Sequence, residues 1–217
     1  MKKNSLKTLI LLTAISTSIV GCKTSQTSTT ADSDTMVNYF PKDNYSYPLA
    51  DTAFKYSNQE WLSDNLDVVM NEKVKNMMPN LEGKATIMQF GEGIIVSLDR
   101  GNVFGVNDVT LNENTKNILR HLSFNLQQDP DTYILVVGRT DATGTREYNE
   151  SLAYNRASVV ANYLHGTGVD KDRLFVDTFG EKFPDFTNRL AAGRELNRRV
   201  DFLILPSNYL RETASSK

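Results

Sequence analysis

The sequence predicts an α+β domain of α/β type, a βαβαβ-β sandwich. It should hold one mixed sheet with helices packed on one face, preceded by a small helical region. Three observations predict it. Short apolar, β-branched runs near 133–137, 174–179 and 199–205 are separated by longer segments with helical periodicity at 112–128 and 147–165. In the last run Val200, Phe202 and Ile204 alternate with other residues, as in a strand that turns one face to a core. Finally, 217 residues with 40% hydrophobic and 23% charged composition leave room for such a core.

The chain begins like a secretion signal over residues 1–21. Lys2, Lys3 and Lys7 are followed by an uncharged, mostly apolar run from Thr8 to Val20. That run is too short to span a bilayer, which needs about 20 residues. It ends Ile19-Val20-Gly21-Cys22, which resembles a bacterial lipobox. The resemblance implies cleavage before Cys22 and lipidation of that cysteine. Several acyl chains hold where one does not, each buried methylene contributing about 0.8 kcal/mol. Lys23 follows, where the inner-membrane lipoproteins of this type carry Asp, so the resemblance implies the outer membrane, facing the periplasm. Removing the three lysines takes the net charge from -2 to -5.

Residues 22–35 carry Ala31 and no larger apolar residue after Cys22, so they are expected to form a flexible linker from the lipid. Thirteen residues, Lys23 to Thr35, reach about 43–47 Å extended, and roughly 20 Å as a coil. Residues 36–84 form a small aromatic-rich helical region, with Tyr39, Phe40, Tyr45, Tyr47, Phe54, Tyr56 and Trp61. A helix is expected from Ser57, with Glu60 completing a capping box, to Met78, where Pro79 and Gly83 end it. The aromatic residues could serve a partner surface; packing onto the neighbouring domain is the favoured reading.

The main domain is placed at 85–206. Ala85–Phe90 and Gly93–Leu98 read as a hairpin around Gly91-Glu92-Gly93, with a second turn at 99–102. A helix from Asn112 to Gln128 presents Leu111, Thr115, Ile118, Leu119, Leu122 and Leu126 on one face, and Asp129-Pro130 stops it. The strand at 133–137 leads into a loop, then a helix at 147–165 whose core candidates are Leu152, Val159, Val160, Tyr163 and Leu164. Gly180 to Ala192 reads as a long loop or short helix, and 207–217 as a polar tail.

Composition excludes several functions. Net charge is -2 with no basic stripe, so nucleic acid is not an expected partner. A single cysteine permits neither an internal disulfide nor a cysteine-based metal cluster, and His121 and His165 lack metal-ligand spacing. No cofactor pattern is present.

The segment 140–156 carries the functional signal. Asp141 follows a strand, in the kind of loop where α/β folds place ligands. Asn149, Leu152 and Arg156 share a helical face at i, i+3 and i+7. A carboxylate, an amide and a guanidinium brought together suit an amino acid zwitterion. On spacing alone, an Asp141–Arg156 ion pair with no ligand explains the pattern equally well.

Thr140-Asp141, Gly144, Tyr148-Asn149, Leu152, Arg156-Ala157 and the later Asn197-Arg198-Arg199-Val200 resemble the OmpA C-terminal-domain family. The resemblance runs from about Gly93 to Leu205 and implies a periplasmic module that binds peptidoglycan non-covalently, through the diaminopimelate of the peptide stem. It implies that Asp141 holds the ammonium and Arg156 the carboxylate. Asn149 and the Thr143 segment would add hydrogen bonds, with Asn107 at the rim and Arg198 near the carboxylate. Arg199, opening a strand, is read as structural. Arg139, Ala153 and Gly105 depart from the family pattern, and Arg139 is a candidate contact to glycan.

The expected function is therefore an outer-membrane lipoprotein that tethers that membrane to the cell wall. The alternative is a Tol-Pal-type lipoprotein, or a docking subunit of an envelope assembly using residues 36–84. A peptidoglycan hydrolase is disfavoured, because a glycosidase needs two carboxylates flanking the bond and one of them protonated.

Overall fold

The computed structural model describes residues 64–98 and 103–215. The expected signal segment, Cys22, the linker, the aromatic residues of 36–63 and the turn at 99–102 lie outside the described residues.

Five strands and five α-helices are described. They run α1 (Asp64–Leu81), β1 (Ala85–Phe90), β2 (Gly93–Leu98), α2 (Glu113–Gln128), β3 (Thr132–Arg139), α3 (Arg146–Gly166), a 3-10 turn (Lys171–Arg173), β4 (Leu174–Gly180), α4 (Ala191–Asn197), β5 (Val200–Pro206) and α5 (Asn208–Ser215). The sheet order is β1-β2-β5-β3-β4. Only β3 and β4 are parallel, joined by α3 as a parallel pair requires. β5 lies antiparallel between β2 and β3 and is buried along its whole length. The sheet is mixed, as expected.

Period-two alternation sorts the side chains. Ile94, Val96, Ile134, Val136, Val176, Val200, Phe202 and Ile204 join the helices in the main core. Ile95, Leu135, Val137, Phe179, Leu203 and Leu205 form a second cluster on the opposite face. Asn112 caps α2, its Oδ1 accepting from the Thr115 amide at 2.8 Å. At the other end of that helix Arg173 donates to the carbonyls of Leu126, Asp129 and Thr132. It thereby satisfies carbonyls of Leu126 and Asp129 at the helix end and ties them to the start of β3.

Three expectations change. The first helix does not stop at Pro79 but runs through it to Leu81. Met77 and Leu81, one turn apart, are both fully buried in the main core, and that burial outweighs the one hydrogen bond proline cannot make. In α3, Leu152 is not core. Ala153, Ala157, Val160, Ala161 and Leu164 face the core instead, with Val159 and Tyr163 partly buried. The segment read as a polar tail, 207–217, contains helix α5. Leu210 and Ala214 pack on the main core, and Arg211 grips the buried Glu92 of the β1–β2 turn with two hydrogen bonds, 2.9 and 3.2 Å.

One contact sets the position of α3. A Cβ on Gly138 would sit 1.9 Å from the Ala153 carbonyl oxygen, so helix backbone and strand backbone touch there. Gly138→Ala should destabilise the fold by about 3 kcal/mol or more, since neither backbone can give way cheaply. Gly166→Ala, with nothing within 4 Å of its added Cβ, should be close to neutral. Urea midpoints of the two variants check the contrast.

Candidate functional site

The strand β3 ends in an irregularity, where the register with β4 shifts between Gly138 and Arg139. Such shifts re-aim the chain as it leaves a sheet. The Thr140 amide donates to the Gly180 carbonyl at 2.8 Å, and the chain then turns away into the loop that carries Asp141. Asp141 closes an Asx turn, its Oδ1 accepting from the Thr143 amide at 2.8 Å. Thr145 caps α3, accepting from the Tyr148 amide at 3.3 Å. The helix then presents Asn149, Leu152 and Arg156 toward the same loop.

A cleft of about 580 Å³ opens between this loop, the first turns of α3, the loop before α2, and α4. Its lining includes Asn107, Asp141, Thr143, Asn149, Arg156 and Arg198. All six residues expected at the site therefore border one cleft. Their pairing differs from the spacing argument. Asp141 is bonded to Arg198, whose Nη1 donates to Oδ2 at 2.8 Å, and no Asp141–Arg156 ion pair occurs among the described residues. Sheet register explains this. Gly138 pairs with Val200 across β3 and β5, so the residues just outside that pair, Asp141 and Arg198, emerge side by side.

Arg156 is fully buried and is fixed from its other side. Its Nε donates to the Asp108 carbonyl at 2.9 Å and its Nη2 to the Gly105 carbonyl at 2.7 Å. Phe104 lies under the guanidinium at 5.1 Å, a cation–π contact. The guanidinium thus shapes the loop that carries Asn107, which takes a left-handed backbone, φ 55°, that asparagine tolerates. Burial, with repulsion from Arg198 next, lowers the Arg156 pKa to about 10 against the pull of Asp141 and Asp108, and it stays charged at neutral pH. Its Nη1 has no partner, and neither does Nε of Arg198; both are buried.

Asn149 is buried, and its Nδ2 donates to Glu181 Oε2 at 2.6 Å, tying α3 to the loop after β4. The Thr143 amide is committed to Asp141, while Asn107 is exposed at the rim. Gly105, where the family often has an acid, offers its carbonyl to Arg156. Arg139 does not reach outward to a glycan. It is buried, paired with Asp201 at 2.7 Å and donating to the Phe183 carbonyl, because it is the last residue of a strand whose end is covered. Arg199 bridges Asp201 and Asp185. Ala153 packs on Gly138.

Sequence reasoning missed the α4 wall. Asn188, Ala191, Arg194 and Glu195 line the cleft. Asn197 holds that wall in place, its Nδ2 donating to the Phe186 carbonyl and Asn188 Oδ1, and its Oδ1 accepting from the Phe186 amide. A buried asparagine at the head of Asn197-Arg198-Arg199-Val200 was the available signal.

Residues 103–198 match the sequence model of the OmpA family. They form an OmpA-like domain. "Probable lipoprotein YiaD" of Escherichia coli is 31% identical over 121 residues, 56% of this chain and 55% of its own. A peptidoglycan-associated lipoprotein of Haemophilus influenzae is 40% identical over 75 residues, 35% of this chain and 49% of its own. The periplasmic domain of Helicobacter pylori MotB superposes with a TM-score of 0.53 at 27% identity, covering 62% of this chain and 87% of that one. The chain spans about half the length of the curated relatives it matches, or less. No helix among the described residues is long and apolar enough to cross a membrane.

Burial alone would raise the Asp141 carboxyl, but hydrogen bonds from Arg198 and Thr143 outweigh it and hold the group below the usual carboxylate range. A folded-state pKa below the unfolded one stabilises the fold above the unfolded value, about 3.9. That stabilisation disappears as pH falls through the folded value. Wild type should therefore be more stable than Asp141→Asn at pH 7 and lose that advantage toward pH 3, as read from urea midpoints at the two pH values.

Proposed function

We propose that this OmpA-like domain binds peptidoglycan non-covalently, by gripping the diaminopimelate of the stem peptide in the cleft. The observation that carries the reading is the convergence of Asp141 with the Arg156 and Arg198 guanidiniums in one cleft of about 580 Å³. The free end of diaminopimelate carries an ammonium and a carboxylate. Asp141 suits the first, and a planar guanidinium suits the second. The unpartnered Nη1 of Arg156 is a donor in want of an acceptor. The cleft has the volume of an ordinary ligand pocket, enough for part of the peptide stem around that zwitterion. The name of the Haemophilus relative, a peptidoglycan-associated lipoprotein, agrees with this reading.

The role is binding rather than cleavage. A general acid must hold a proton near neutral pH, and Asp141, ion-paired and shifted downward, stays ionised. With Cys22 lipidated after cleavage, the domain would hang from the outer membrane on its linker and face the periplasm, tethering that membrane to the wall.

Asp141→Ala and Arg156→Ala should each reduce co-sedimentation with purified sacculi about 100-fold or more while the fold survives, since each strips a partner from a ligand charge. Normal pelleting by both folded variants would remove the site assignment, and release of soluble muropeptides by wild type would replace binding with hydrolysis. In cells, Cys22→Ala should move the protein from the membrane fraction to the soluble periplasmic fraction; retention in the membrane would argue against a lipid anchor.

A further inference from the structure

In the free protein the Asp141 carboxylate is already occupied. Oδ2 accepts from Arg198 Nη1 at 2.8 Å and Oδ1 from the Thr143 amide at 2.8 Å. An arriving ammonium finds both oxygens engaged. The two guanidiniums of the cleft are held very differently. Arg156 is bonded to two loop carbonyls and stacked on Phe104, so it has no freedom to move. Among the described residues the Arg198 side chain bonds to Asp141 alone, and its Nε is buried without a partner. Arg198 stands at the C-terminal cap of α4, one residue before Arg199 and the start of β5, so its side chain can swing without disturbing a strand.

We infer that Arg198 is a specificity-determining gate: it covers Asp141 until a ligand brings an ammonium and a carboxylate together. This rests on the proposed function and adds to it. A zwitterion takes Asp141 with its ammonium and hands its own carboxylate to the displaced Arg198, so one ion pair becomes two. A ligand with an ammonium alone, such as the side chain of a lysine-type stem, can pair with Asp141 only by stranding Arg198. Its number of ion pairs does not rise, and a guanidinium is left desolvated without a counter-charge. The selectivity is then built from a penalty on the wrong ligand as much as from attraction to the right one. Arg156, being immobile, supplies attraction to the carboxylate but cannot impose that penalty.

The test is calorimetric titration of the full chain with soluble muramyl tripeptides ending in diaminopimelate or in lysine. Wild type should prefer the diaminopimelate peptide by about 100-fold or more, the scale reached when a buried polar group is left unpaired by the wrong ligand. Arg198→Ala should weaken diaminopimelate binding and strengthen lysine-peptide binding, so that the preference falls below about tenfold. Arg198→Lys, which can still cover Asp141, should keep the lysine peptide out; it also serves where the alanine variant fails to fold. A preference unchanged in Arg198→Ala, or a lysine peptide admitted by Arg198→Lys as freely as by Arg198→Ala, overturns this inference and leaves the proposed function standing. Absence of diaminopimelate binding by wild type removes both.

Discussion

Where Gly138 meets Ala153, a strand and a helix touch backbone to backbone, with no side chain between them. Much of the site depends on that closeness. The cleft brings groups from the end of β3 and from α3 close together, and an ordinary helix-on-sheet spacing, set by side chains, would hold them farther apart. The contact also explains why small residues, Ala153 and Ala157, face the sheet at this level of α3. A larger residue at 153 would lift the helix, and the Arg156 guanidinium would lose its hold on the loop that forms the opposite rim.

A second group of charges, outside the cleft lining, has a different task. Arg139, Asp201, Arg199 and Asp185 form a partly enclosed chain of ion pairs at the ends of β3 and β5. Such pairs gain little net stability, because desolvation offsets their attraction. They do hold the two strand ends in register, and that register brings Asp141 beside Arg198. The adjacent arginines Arg198 and Arg199 thus divide the work, one turned to the cleft and the other into the fold.

Much of this was legible in the sequence. The strands, the two long helices and six of the residues that line the cleft could be read from period-two and 3.6 patterning together with the family motif, but the α4 wall could not. The Asp141–Arg198 pairing could not, because it comes from antiparallel register across 57 residues of chain. Leu152 was misplaced because helical periodicity identifies a face but not whether that face meets a sheet or opens on a cleft. Helix α5 was missed for a similar reason. Its polar composition hid Arg211, whose partner Glu92 is 119 residues away. The Pro79 rule failed where two buried side chains outweighed a local preference.

Asn65 near the start of α1 donates to the Ala214 carbonyl of α5, so the two ends of the described chain lie against each other. That has a mechanical consequence. In the proposed role as a tether, the domain would be loaded in tension between residue 64 and the cleft. The element nearest the pull is α1, held by apolar packing of Leu66, Met70, Met77 and Leu81 rather than by a ladder of strand hydrogen bonds. Under load α1 would peel away before any strand is sheared. The sheet and the cleft it carries would then stay intact, making α1 a shock absorber in series with them.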